Sequence, residues 1–115
     1  MTAVKRYVRC GAQATTPFIL KQGYKVSLTY AGRPYEFFVS RETLKRGGWS
    51  VFEVSTGFRC AWGDTRTRAL EMLFSRMKRL DETLVKADGD PKDRVAIAKK
   101  EMAEFQKTLA EKALK

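Results

Sequence analysis

The sequence predicts an α+β domain: a small antiparallel sheet of four strands, with a fifth available at residues 4–9, followed by two α-helices. Three observations predict it. Eleven of the thirteen aromatic residues precede Gly63, and aromatic and β-branched side chains favour a pleated, half-buried surface. After Gly63 the chain turns rich in Ala, Leu, Glu and Lys, which lose little freedom in a helix. The apolar period changes at the same place, from every second residue to every third or fourth. With 115 residues, 43% of them hydrophobic, one domain with a real core is expected. It divides into a sheet half (1–63), a first long helix (64–86) and a C-terminal helix (90–114).

The strands are read from alternation. Tyr24, Val26, Leu28 and Tyr30 alternate with Lys25, Ser27 and Thr29, the mark of a half-buried strand. Residues 31–34, Ala-Gly-Arg-Pro, form a turn, because glycine tolerates positive φ and proline cannot donate to a ladder. A second strand covers 35–40, with Tyr35, Phe37 and Val39 on the face toward the helices and Phe38 on the other. Residues 41–48 make a loop closed by two glycines. A third strand covers 49–54, where Trp49 and Phe52 should lie on opposite faces. A short turn at 55–57 leads to a fourth strand, with Phe58, Cys60 and Trp62 alternating with Arg59 and Ala61.

The helices are read from caps and stripes. Asp64 or Thr65 caps the first. Ala69, Leu70, Leu73, Phe74, Met77, Leu80 and Leu84 give it one apolar face. The pattern breaks at 87–90, and Asp90-Pro91 restarts a helix with Pro91 at its first position. Its narrow seam, Val95, Ala98, Met102, Phe105 and Leu109, has near-heptad spacing. That seam predicts either an αα-hairpin within the chain or a homodimer contact.

Composition limits the chemistry. There is no histidine, which removes the commonest general base and metal ligand. Cys10 and Cys60 alone cannot close a tetrahedral zinc site; they read as reduced, buried thiols, with a Cys10–Cys60 bridge as the alternative. No apolar run reaches the roughly 20 residues of a membrane span, and no secretory h-region follows Lys5 and Arg6. A cytoplasmic protein without cofactor or metal is expected. The acids of the sheet half are Glu36, Glu42 and Glu53, with Asp64 at the corner. Such a set makes an enzyme the less favoured reading, a carboxylate-and-magnesium nuclease being its one concrete form.

The charge is polarised. Residues 1–63 hold ten Lys/Arg against three acids, 64–86 six against four, and 87–115 seven against six, within a total of +10. In an up-and-down meander, the 41–48 loop, the first strand's start and the first helix's start share one end. Lys21, Arg41, Lys45, Arg46, Arg66 and Arg68 then gather at one pole. A helix N-terminus there presents free N–H groups suited to phosphate, and arginine's planar fork matches the same group. The expectation is a non-enzymatic binder of nucleic acid or of a nucleoprotein surface. Phe38 and Phe52, if exposed on the sheet's open face, would add a platform for stacking bases. The alternative is an inhibitor or antitoxin-like protein that docks the same cations on an acidic protein surface.

Trp49-Ser50-Val51, Thr56-Gly57, Gly63-Asp64-Thr65 and Ala69-Leu70 together resemble the sheet-and-helix module of HicB-like antitoxins, over residues 49–80. That resemblance implies a bacterial or phage-infected cell as the setting. The family's corner is usually followed by acids, where this chain has Arg66 and Arg68. A fainter similarity is to double-stranded-RNA-binding domains, in which basic residues at a helix start touch phosphates. Small basic α+β chains are similar too to phage proteins such as anti-CRISPR proteins, some of which bind nucleoprotein machines.

Overall fold

A computed structural model describes residues 3–9, 18–42 and 47–113. Its elements are β1 (Val4–Arg9), β2 (Phe18–Tyr30), β3 (Arg33–Arg41), β4 (Trp49–Glu53), β5 (Arg59–Gly63), α1 (Arg66–Asp88) and α2 (Arg94–Ala113). The strands form one antiparallel sheet in chain order, β1-β2-β3-β4-β5. The α+β class and the meander followed by two helices are as the sequence predicts, and the strand at 4–9 is present.

β2 is longer than alternation suggests. It begins at Phe18 and serves two neighbours: 18–23 pair with β1, and 24–30 pair with β3. The change of partner falls at Gly23, where a Cβ would overlap the Val39 carbonyl and come within 2.8 Å of the Phe38 ring. Only glycine lets the strand press this closely onto β3. The β2–β3 turn is also tighter than expected. Ala31 and Gly32 alone make it, with φ of 51° and 76°, and Arg33 and Pro34 already belong to β3. Pro34 is tolerated because β4 reaches β3 only from Phe37 onward, so no β4 carbonyl lacks its donor.

Two clusters of side chains fill the two faces of the sheet. Phe37, Val39, Val51 and Ala61 meet Ala69, Leu73 and Met77 of α1, with Tyr24, Val26, Leu28, Tyr30 and Trp49 packed around them. On the opposite face Val8, Phe38 and Phe52 form a second cluster with Val4, Ile19 and Val54. Trp49 and Phe52 do lie on opposite faces. The open face carrying Phe38 and Phe52 does not exist, however: they are 1% and 3% exposed. β1 and the start of β2 lie across them and supply the apolar partners that a large aromatic needs.

Thr65 is the cap of α1, its Oγ1 accepting the Arg68 N–H at 3.1 Å. The expected stripe is buried at Ala69, Leu73, Met77 and Leu84, but Phe74 is 57% exposed. α1 lies chiefly over β4 and β5, so the flank that bears Phe74 overhangs the packed strands. α2 starts later than expected. Residues 90–93 form a turn, and Asp93 rather than Asp90 caps the helix, accepting the Val95 N–H at 2.8 Å. Pro91 therefore lies before the helix.

The α2 seam is filled by the chain's own sheet. Ala98 and Met102 are buried, and Val95, Phe105 and Leu109 are half-buried. Phe105 meets the rings of Tyr7 and Phe18 at 5.0 and 4.5 Å. Lys99 pairs with Asp88 at the end of α1, at 3.0 Å. The seam's central residues, Ala98 and Met102, are thus occupied within the chain, while Val95, Phe105 and Leu109 stay half-buried.

Candidate nucleic-acid interface

The strand register builds the basic pole. Arg41 lies opposite Trp49, and Trp49 opposite Gly63, so the end of β3, the start of β4 and the end of β5 form a row. α1 begins three residues after Gly63. The closeness is enforced locally, since a Cβ on Gly63 would overlap the Ala69 backbone N. The first turn of α1 carries no acid, so its partial positive charge adds to that of the side chains.

A groove of about 580 Å³ opens at this pole, lined by Leu20, Lys21, Gln22, Tyr24, Arg41 and Trp49 among others. Tyr24 and Trp49 stand side by side, ring centroids 6.4 Å apart. The guanidinium of Arg66 lies 5.4 Å from the Tyr24 ring centre, a cation–π contact that ties the helix start to the aromatic pair. Arg41 lies exposed on the groove wall. Two arginines from separate elements therefore flank one aromatic pair.

The other expected cations differ in placement. Lys21 reaches the pole but donates to both carboxylate oxygens of Glu42, at 3.1 and 2.9 Å. Both side chains are largely enclosed, at 19% and 12% exposure. Burial alone would raise the Glu42 carboxyl, yet its hydrogen bonds and the Lys21 ammonium hold it below the usual carboxylate range. The charge of Lys21 is thus matched inside the protein. Arg68 is exposed on another side of the helix start, beside Trp62, Asp64 and Glu71, where the local charge is mixed. Lys45 and Arg46 lie outside the described residues, as does Cys10.

The acids of the sheet half have structural work. Glu53 accepts from the backbone and hydroxyls of Ser55 and Thr56, at 2.7 to 3.1 Å, and so ties the β4–β5 turn. Glu36 pairs with Lys25 at 2.9 Å. Burial and the nearby Glu53 push the Cys60 thiol up to about 12, so it stays protonated and unreactive at neutral pH.

Tyr24 and Trp49 are the members of the site that periodicity alone does not single out, because each reads as an ordinary core residue of a strand. The usable signal is the pairing of Arg41 with Trp49 that a meander implies. Comparison of the chain with protein-family models, curated proteins and solved structures found no match, so this groove is read from its own geometry and charge.

Proposed function

We propose that this chain is a non-enzymatic binding protein that engages nucleic acid through the cationic pole. The observation that supports it most is that Arg66 stacks over Tyr24 while Arg41 pairs in register with Trp49, the two rings standing side by side next to a first helical turn free of acids. Arginine forks neutralise phosphates and match their geometry. The groove's aromatic wall tolerates the ribose and base surfaces that accompany them. In the sequence Lys45 and Arg46 follow Arg41, and Arg68 follows Arg66 at the exposed helix start, so five cations are available for phosphate. Binding of this kind is dominated by counterion release and carries weak sequence preference.

The test is affinity for a labelled oligonucleotide across a salt series. Neutralising about five phosphates gives a slope of about −4 for log affinity against log salt on duplex DNA. Arg41→Ala and Arg66→Ala should each weaken binding evenly across sequences and flatten the slope by about one. A flat salt response, or no binding at low salt, overturns the reading. Capture of an acidic protein that survives nuclease treatment, without oligonucleotide binding, would replace nucleic acid by protein as the ligand.

A further inference from the structure

Among the described residues, one edge of the sheet has no partner strand beyond Gly23. β1 pairs with β2 only as far as Gly23, and 24–30 pair with β3 on the other side. Among the described residues no other backbone hydrogen bond reaches 24–30. Natural edge strands are usually blunted by proline, bulges, charge or brevity. This one has seven residues, no proline, no bulge and a single lysine, and Lys25 is tied to Glu36 at 2.9 Å. Its α1-side residues, Tyr24, Val26, Leu28 and Tyr30, are only partly covered.

We propose that this edge pairs with the same edge of a second copy of the chain, antiparallel about a twofold axis at Ser27. The segment is self-complementary in that register. Val26 falls opposite the partner's Leu28 and Tyr24 opposite the partner's Tyr30, so the apolar faces of the two sheets continue into each other. Lys25 falls opposite the partner's Thr29, with no like charges facing. A one-residue slip would set apolar against polar side chains, and a twofold at Lys25 would oppose two ammonium groups.

The placement of charge is compatible with the same arrangement. Tyr24 marks the basic pole, whereas the groove toward the opposite end of the sheet is lined by Glu36, Glu53 and Asp88 together with Arg33 and Lys99, a mixed set in which Glu36 pairs with Lys25 and Asp88 with Lys99. The antiparallel pairing sets each basic pole beside the partner's mixed-charge end rather than beside the partner's basic pole. It also keeps the two Tyr24 positions roughly 20 Å apart along the strands, beyond two Debye lengths of about 8 Å at physiological salt. At the centre of the α2 seam Met102 is already buried within the chain, at 4% exposure. The interface is isologous, each copy giving and receiving the same contacts.

Sedimentation equilibrium of the full chain tests this, using Thr29→Glu and Thr29→Lys. Thr29 is exposed and faces away from α1, so both variants should keep the wild-type circular dichroism. Each dimer contains two Lys25–Thr29 pairs. Thr29→Glu should therefore tighten the wild-type monomer–dimer equilibrium about fivefold, and Thr29→Lys should weaken it about fivefold. A chain monomeric at every concentration overturns the proposal and leaves the edge to a strand from another protein. A dimer indifferent to both substitutions, or shifted in the same sense by both, overturns it as well.

Discussion

Arg9 is an arginine that works inside the protein. Its side chain is fully buried, and its guanidinium donates to the Thr56 carbonyl at 2.7 Å and the Ala98 carbonyl at 3.0 Å. The rings of Phe18 and Phe58 lie 4.8 and 5.0 Å away. One side chain thus joins β1, the β4–β5 turn and α2. Arg9→Ala would leave buried carbonyls without donors, at a cost of about 3 kcal/mol or more. Arg9→Lys should recover little, because an ammonium lacks the planar fork that serves separate acceptors. Urea unfolding of both variants checks this; a loss under 1 kcal/mol for Arg9→Ala would contradict it.

Asp81 is the second buried charge with a structural role. It sits mid-way along α1 and accepts from the Arg33 guanidinium, at 2.8 Å, and from the Tyr35 hydroxyl. Arg33 first, then Tyr35, holds its carboxyl below the ordinary value. The unfolded chain therefore binds this proton more readily than the folded one, and stability rises with pH across the interval between the two values. The contribution is complete above about pH 4, the ordinary aspartate range, and disappears as pH falls through the folded value. Asp81→Asn should flatten that acid limb of the stability–pH profile while leaving its shape near pH 7 unchanged, as measured by thermal melts between pH 2 and 7.

At the scale of elements, glycines and caps decide where strands and helices meet. Gly23→Ala should be among the most damaging small substitutions, since its methyl would press on the Val39 carbonyl and the Phe38 ring. A loss of 1–3 kcal/mol, about the usual cost of overpacking, is expected by urea unfolding. Thr65→Ala removes the acceptor for the Arg68 N–H and should cost about 1 kcal/mol. It would also loosen the helix start that directs Arg66, so oligonucleotide affinity should fall modestly with it. Cys60, half-buried on β5, contributes packing and a contact to the Val51 carbonyl rather than chemistry.

At the scale of the molecule, the balance between Lys21 and Glu42 sets how much charge the pole presents. Glu42→Gln would release one positive charge at the groove. The affinity for oligonucleotide should then rise and the salt slope steepen by about one, with some loss of stability from the enclosed, now unmatched ammonium. Unchanged affinity in a folded variant would place the bound phosphates away from this groove. The +10 charge alone would allow many weak contacts; the proposed function concentrates them at one groove.

By itself the sequence determined the class, the meander and the pair of helices, and it set Arg41 and Arg66 at one end of the sheet. These are local properties: side-chain period, turn chemistry and caps act within a few residues and are legible one segment at a time. Arg41 and Arg66 fall at that pole because strand order and register follow from the short turns between neighbours. Tertiary structure alone decided which face of the sheet is covered, and it covered Phe38 and Phe52. It decided that the α2 seam meets Tyr7 and Phe18, that Phe74 overhangs the strands, and that Glu42 takes the charge of Lys21. Each of those outcomes joins residues far apart in the chain, and no periodicity encodes which distant surface wins. The physical reason is burial. An apolar face specifies only that it must leave water, whereas the change of strand partner at Gly23 and the packing of α2 against β1 determine what it leaves water for.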